Sequence, residues 1–283
     1  LATNLIPSEL PQDIYTQVAE QAKATMQQDD NPLAKLCLEF GIDRKLAKRP
    51  VMIVPYSGTR HACRQYIVEA MQDKIKEGTP NPFGDDLFEA SAFISKHIWS
   101  SIEDVITSAR KVMDYVKDVA DVYAQHNKHM EWVTPTGWLV LQQYHDLEKK
   151  RIKTHINGNT VSLSFPKEIE NKVNKQRTGL GSSPNFIHSL DAAAMTKTIN
   201  RCAEQNIEDF AMVHDSYGTH SPLMPKMSEI LREEFVNMYE EHDVLTELRD
   251  HAIKTIGTED IPLPPSKGNL ELRNVLKSDY FFA

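Results

Sequence analysis

The chain has 283 residues, 40% hydrophobic and 25% charged, a composition that excludes intrinsic disorder and is long enough to bury a large core. With 32 Lys and Arg against 40 Asp and Glu its formal charge is −8, which excludes a polybasic coat protein and argues mildly against nucleic-acid binding. Its three cysteines, without a CxxC pair, exclude a disulfide scaffold, and no apolar run nears the roughly 20 residues a membrane helix needs. The amino end, LATNLIPSEL, has no Met, signal-peptide pattern or tag, and reads as if cut from something longer.

Helical periodicity dominates. Ile14, Val18 and Ala22 predict a helix over about 11–27, with Pro11 suited to its first turn. A second is predicted over about 32–49. A third after Gly58 lines up Cys63, Tyr66, Ile67, Ala70, Met71 and Ile75, and stops near Gly78; residues 81–85 read as a loop. From Ile98 to Tyr123 a 3.5–3.6 spacing predicts about seven continuous turns of core-packing helix. The pattern then shifts to strands. β-rich runs either side of Pro135-Thr136-Gly137 predict a hairpin over 132–144, and Asn157-Gly158 predicts a second over 149–165. Pro184 introduces a helix over about 185–204, and Phe210–Val213 is a short strand running into HDSYG. A long helix over about 224–254 and a Pro-rich loop finish the chain. Helices with interspersed hairpins, without βαβ alternation, predict a mostly helical α+β fold.

Four groups of residues could carry chemistry. In His214-Asp215-Ser216-Tyr217-Gly218, a carboxylate stands where an apolar strand turns back, the placement a Mg²⁺-binding site needs; the same residue types also make ordinary surface turns. The stretch from Arg44 to Arg64 holds six cations and no acid, and Arg44 and Lys48 at i, i+4 share one helix face, suited to a polyphosphate or simply to solvent. Tyr56 stands beside Ser57-Gly58, and His188 has Asp191 at i+3 and Met195 at i+7. The 149–165 hairpin carries Lys149, Lys150, Arg151 and Lys153 with no acid, and a basic two-stranded ribbon has the width of a DNA major groove. There is no GxxxxGK[ST] or HExxH motif, Gly179-Leu180-Gly181 lacks the third glycine of a dinucleotide loop, and no zinc-ligand clustering occurs.

Read in order, these segments resemble the carboxy-terminal part of the single-subunit RNA polymerases of T-odd bacteriophages and their mitochondrial relatives. The resemblance runs through NLIPS (4–8), QDIY (12–15), KRPVM (48–52), Pro55-Tyr56, Ile98-Trp99, WVTP (132–135), PNFIH (184–188), HDSYG (214–218), KGNLELR (267–273) and the terminal SDYFFA. It implies the fingers and palm of a right-hand polymerase. Residues 1–30 would be a palm-proximal helix, 31–130 the fingers and 131–220 the palm, with a specificity hairpin near 145–166 and a catalytic hairpin near 209–220. Residues 221–283 would form a carboxy-terminal helix and foot.

The resemblance also implies roles. Asp215 would bind the two catalytic Mg²⁺ ions, with His214 as its companion. Arg44 and Lys48 would grip the incoming NTP's triphosphate, Lys48 aiding pyrophosphate departure. Tyr56 with His188 would select ribose, Met52 would line the nucleotide pocket and Tyr15 would border it. Arg151 and Lys153, with Lys150, would touch promoter DNA, and Phe282-Ala283 would pack near the active centre. The chain departs from the family pattern at Ser57, where Gly is usual, and at Leu190, where a polar residue is expected. In-line nucleotidyl transfer needs a second carboxylate, which the family carries upstream. The reading is therefore one half of a DNA-dependent RNA polymerase, acting on template DNA, promoter, NTPs and RNA product, with an amino-terminal segment or subunit supplying the second Asp. HDSYG looks more phage-like than mitochondrial and places the protein in the cytoplasm of an infected bacterium. The alternatives are a palm-type DNA polymerase relative and a non-catalytic DNA-binding module retaining the fold.

Overall fold

A computed structural model describes residues 3–84 and 86–282. Asp85 of the expected 81–85 loop and the terminal Ala283 lie outside the described residues. Helix α1 (Ile14–Gln27) starts later than Pro11 because Asp13 caps it, accepting from the Tyr15 backbone N–H, and its buried stripe is Val18, Ala19, Ala22 and Met26. The single helix expected over 32–49 is two, α2 (Pro32–Phe40) and α3 (Arg44–Met52), parted at Gly41 with φ 88°. Two signals set that break. Gly41 takes a conformation that side chains disfavour, and Asp43 starts a new helix by accepting from Leu46 N–H. Lys74, 8% exposed, clamps the corner by donating to Gly41 O and the Asp43 carboxylate, both at 2.7 Å. Pro50 sits inside α3 rather than ending it, and a 3-10 turn over Val54–Tyr56 follows.

Helix α4 (Arg60–Lys76) buries Cys63, Ile67 and Met71 on the expected face. The seven-turn helix is also broken. α5 (Phe88–Val105) and α6 (Thr107–Gln125) meet at Ile106 (φ −109°, ψ 35°). The apolar stripe is continuous in sequence but feeds two cores: Ile94, Ile98 and Ile102 pack with α1–α4, whereas Val116, Val119 and Tyr123 join a second cluster.

Strands β1 (Met130–Val133) and β2 (Leu139–Gln142) make the first hairpin, and β3 (His145–Ile156) and β4 (Asn159–Val173) a ribbon longer than predicted. Asn157 (φ 52°) and Gly158 (φ 79°) turn it, the positive-φ pair of a type I′ turn. Helix α7 (Lys175–Glu204) runs straight through Pro184 instead of starting there. It packs on α6, and Phe186 and Leu190 enter the second core beside buried Trp132, whose indole N–H donates to Ser189 Oγ at 2.9 Å. β5 (Ala211–Val213) and β6 (Ser216–Gly218) form the third hairpin. The last long helix is α8 (Met224–Glu241) and α9 (Val244–Ile256), divided where Asp243 caps α9 by accepting from Thr246 N–H. Among the described residues all three sheets are two-stranded antiparallel hairpins, so the mostly helical α+β expectation holds.

Candidate functional site

Three distant segments converge on one cleft of about 450 Å³. Tyr56 comes from the turn after α3, His188, Asp191, Ala192 and Met195 from one face of α7, and His214 and Asp215 from the β5–β6 turn. The Tyr56 and His188 rings lie 5.1 Å apart, inclined by 36°. Val213 pairs with Ser216, so His214 and Asp215 are the two residues of a minimal hairpin loop. His214 takes φ 53°, a conformation that costs a β-carbon-bearing residue and that surrounding structure must enforce. Gly218 pairs with Ala211, and a β-carbon there would lie 3.2 Å from Ala211 O, so the ribbon closes tightly behind the turn. The carboxylate of Asp215 is thereby presented, exposed, at the cleft's rim.

The electrostatics follow from this convergence. The protein packed around Asp191 desolvates its carboxyl and raises its pKa; the charge of Asp215 raises it further and His188 opposes the shift. Burial, then the charges of Asp191 and Asp215, raise the Tyr56 phenol, which keeps its proton at neutral pH as a hydrogen-bond donor. Tyr217, beneath the turn, is pushed up to about 12 by burial and the same two carboxylates. Asp215 and Asp191 do not complete a ligand set: among the described residues no group of three or more His, Cys, Asp or Glu is arranged to hold a metal.

The other expected residues lie outside the cleft lining. Arg44, Lys48 and Met52 are exposed along α3, leading toward Tyr56. Three of the four cations on α3 are neutralised internally. Arg44 donates to Asp13 at 2.8 Å and stacks over the Tyr15 ring at 5.1 Å, Lys45 pairs with Glu77, and Arg49 with Glu69. Lys48 forms no ion pair among the described residues. On the ribbon, Arg151 faces Ser164 and Lys153 faces Ser162, so both cations share one polar face. Lys150 faces Phe165 on the opposite, apolar face with Ile152 and Leu163, so it is separated from the two residues it was grouped with. Asp191 and Met195, noted at i+3 and i+7 from His188 but given no role, line the cleft with it.

The cleft gathers two carboxylates, two histidines and a tyrosine from three segments of a mostly helical α+β protein, with the cations of α3 outside its lining. The family model of DNA-dependent RNA polymerase matches residues 1–262. The chain is 35% identical to the mitochondrial DNA-directed RNA polymerase 1 of Arabidopsis thaliana, over 99% of its own length and 28% of that protein's. It is 30% identical to the mitochondrial enzyme of Mus musculus, covering 24% of it, and 32% identical to DNA-directed RNA polymerase 2A of Nicotiana tabacum, covering 84%. The chain belongs to the DNA-dependent RNA polymerase family, as the ordered blocks implied. It spans about a quarter of the length of the first two relatives. The expected location in an infected bacterium is overturned, because the Arabidopsis and mouse relatives are named as mitochondrial polymerases. HDSYG misled because a five-residue turn motif is set by local hairpin geometry and carries little about compartment.

Proposed function

We propose that this chain is the fingers-and-palm portion of a single-subunit RNA polymerase that adds ribonucleotides to RNA on a DNA template. The observation that carries it is the cleft in which Tyr56 meets His188 and Asp215, which stand on two other segments more than a hundred residues further along the chain. In this reading α2 to α6 are fingers, and the three hairpins with α7 are palm, within the boundaries 31–130 and 131–220; 1–30 is the palm-proximal helix and 221–283 the carboxy-terminal helix and foot. The relatives' names favour transcription in an organelle.

Asp215 would hold Mg²⁺ together with a second aspartate from outside this chain. When bound, two such ions activate the attacking 3′-hydroxyl and neutralise charge developing on the pyrophosphate. This chain's own residues do the rest. The strained His214 position fixes the direction of Asp215. Lys48, without a competing acid, has its charge available to the triphosphate, and Arg44, held by Asp13 and Tyr15, contributes a fixed positive field beside it. Met52 and Tyr15 would border the approach to the cleft. The protonated Tyr56 phenol, stacked against His188, provides a rigid donor where a ribose hydroxyl would lie. Arg151 and Lys153 present forked and point-charge donors from the polar face of the ribbon to base edges in a major groove.

Asp215→Asn keeps the turn's shape and removes the charge. In the polymerase containing this chain it should lower RNA synthesis by more than about a hundredfold and leave duplex binding intact. Primer-extension rates with parallel binding titrations measure this, and full activity in the variant would sink the metal assignment.

A further inference from the structure

We infer that Ser57 and Ser183 form a reciprocal hydroxyl clasp that positions Tyr56 against His188 and so tunes sugar discrimination; this rests on the reading of the cleft as a nucleotide site. The clasp arises at Pro184, which the sequence pattern takes for a helix start and which lies inside α7. Pro184 has no N–H, so within α7 the carbonyl of Leu180, four residues earlier, lacks its helical donor. Ser57 fills the gap: its hydroxyl donates to Leu180 O at 2.9 Å. In the other direction Ser183, 3% exposed, donates its hydroxyl to Pro55 O at 3.2 Å. Two bonds thus run in opposite senses between the turn after α3 and one stretch of α7. They grip the residues immediately before and after Tyr56.

The need for such a device follows from exposure. The Tyr56 side chain is 47% exposed, so packing alone does not fix its ring. Its placement depends on the backbone of the turn, and that backbone is held tightly. Gly58 N–H donates to Ile53 O at 2.9 Å, and a β-carbon at Gly58 would come within 2.6 Å of the same oxygen. Ser57 takes φ 58°, a left-handed conformation that glycine, the family's usual residue there, would reach more cheaply. A hydroxyl on a strained backbone, directed at an orphaned carbonyl, joins the helix carrying His188 to the turn carrying Tyr56. Ser57 and Ser183 are positioning residues and do not line the cleft themselves.

The test uses Ser57→Gly, Ser183→Ala and the double variant in the polymerase containing this chain, with Tyr56→Phe alongside. Ser57→Gly removes the hydroxyl and relieves the backbone, so folding is preserved. Loss of one neutral hydrogen bond should lower the ratio of kcat/KM for rNTP over dNTP by about fivefold. The loss should appear in the KM for rNTP, with kcat and the melting temperature unchanged. Ser57→Asn, which tolerates positive φ and carries an amide donor, should restore the ratio. If the double variant keeps the wild-type ratio while Tyr56→Phe lowers it, the clasp is overturned and the site reading stands. If Tyr56→Phe also leaves the ratio unchanged, both fall.

Discussion

Tyr56 shows how a single residue acquires meaning from its surroundings. In isolation it is a tyrosine near a glycine, and tyrosines of that kind are usually core residues. The structure makes it half exposed, set against the His188 ring, and with its phenol raised above the usual value of 10.0 by burial and two carboxylates. Removing only its hydroxyl separates two roles of the ring. Tyr56→Phe keeps the stacking surface and should retain nucleotide addition, while discrimination against dNTPs falls by about tenfold, the worth of one strong hydrogen bond. Competing rNTP and dNTP incorporation measures it, and an unchanged ratio would count against the ribose-selecting role. Asp215, Tyr56 and His188 were legible in the sequence because each stands inside a string that matches a family block. Asp191 was visible beside His188 but its role was not, since an acid three residues after a histidine on a helix looks like any solvated side chain until the β5–β6 turn is placed against it. Ser57 was legible as a departure, but its partner Leu180 O is a backbone atom that no residue pattern announces.

At the scale of elements, sequence periodicity found the helices and misjudged where they stop. The 32–49, 98–123 and 224–254 patterns each continue across a break, because the apolar stripe persists on both sides while a local cap or an irregular residue turns the axis. Asp43 and Asp243 are the informative cases: each accepts from a backbone N–H three residues on, a signal that a helical pattern hides. The α2–α3 corner also depends on Lys74. Burial alone would raise the Asp43 carboxyl, but the Lys74 hydrogen bond, the Leu46 N–H and the Lys74 charge outweigh it and hold the group below its usual value of 3.8. A carboxyl with a depressed folded pKa contributes stability that is present above about pH 3.8 and lost as pH falls through the folded value. Lys74→Met should cost about 1–3 kcal/mol at pH 7, less than a fully buried pair because water still reaches Asp43. Urea melts should show the gap between variant and parent narrowing below pH 3.8, and a pH-independent gap would locate the effect in packing instead. The ribbon makes a second element-level prediction, because register divides its cations. Arg151→Ala should weaken binding to a cognate duplex by about 1–3 kcal/mol with little change on random DNA. Lys150→Ala, on the apolar face, should leave that preference intact. Equal effects of the two variants in competition titrations would remove the facial argument.

The whole molecule resolves the apparent conflict between a charge of −8 and the nucleic-acid partner proposed for it. Acidic residues are spread over outer helices, as in α8 with Glu229, Glu233, Glu234, Glu240 and Glu241, while Lys48 and the Arg151–Lys153 face stay available. Long-range tethering matters as much as charge. Arg232 donates to Ser278 O at 3.2 Å, Ser278 Oγ donates to Asn4 O at 2.6 Å, and Tyr280 OH donates to Glu9 O at 3.3 Å, so the foot joins α8 to the first residues of the described chain. Its last two described rings then diverge in role. Phe281 is 8% exposed and packs on Phe235 at 4.9 Å, so it belongs to a core. Phe282 is 45% exposed and lies 4.8 Å from Tyr217, two residues from Asp215. Phe281→Ala should therefore cost about 3–4 kcal/mol of stability, in the range for a buried aromatic truncation. Phe282→Ala should cost less than about 1 kcal/mol, as expected for a half-exposed ring, yet slow nucleotide addition by releasing Tyr217 and the turn it supports. Thermal melts paired with single-turnover rates distinguish the two. A Phe282→Ala protein that adds nucleotides at the parental rate would show that Asp215 is held by its own hairpin alone, without help from the foot.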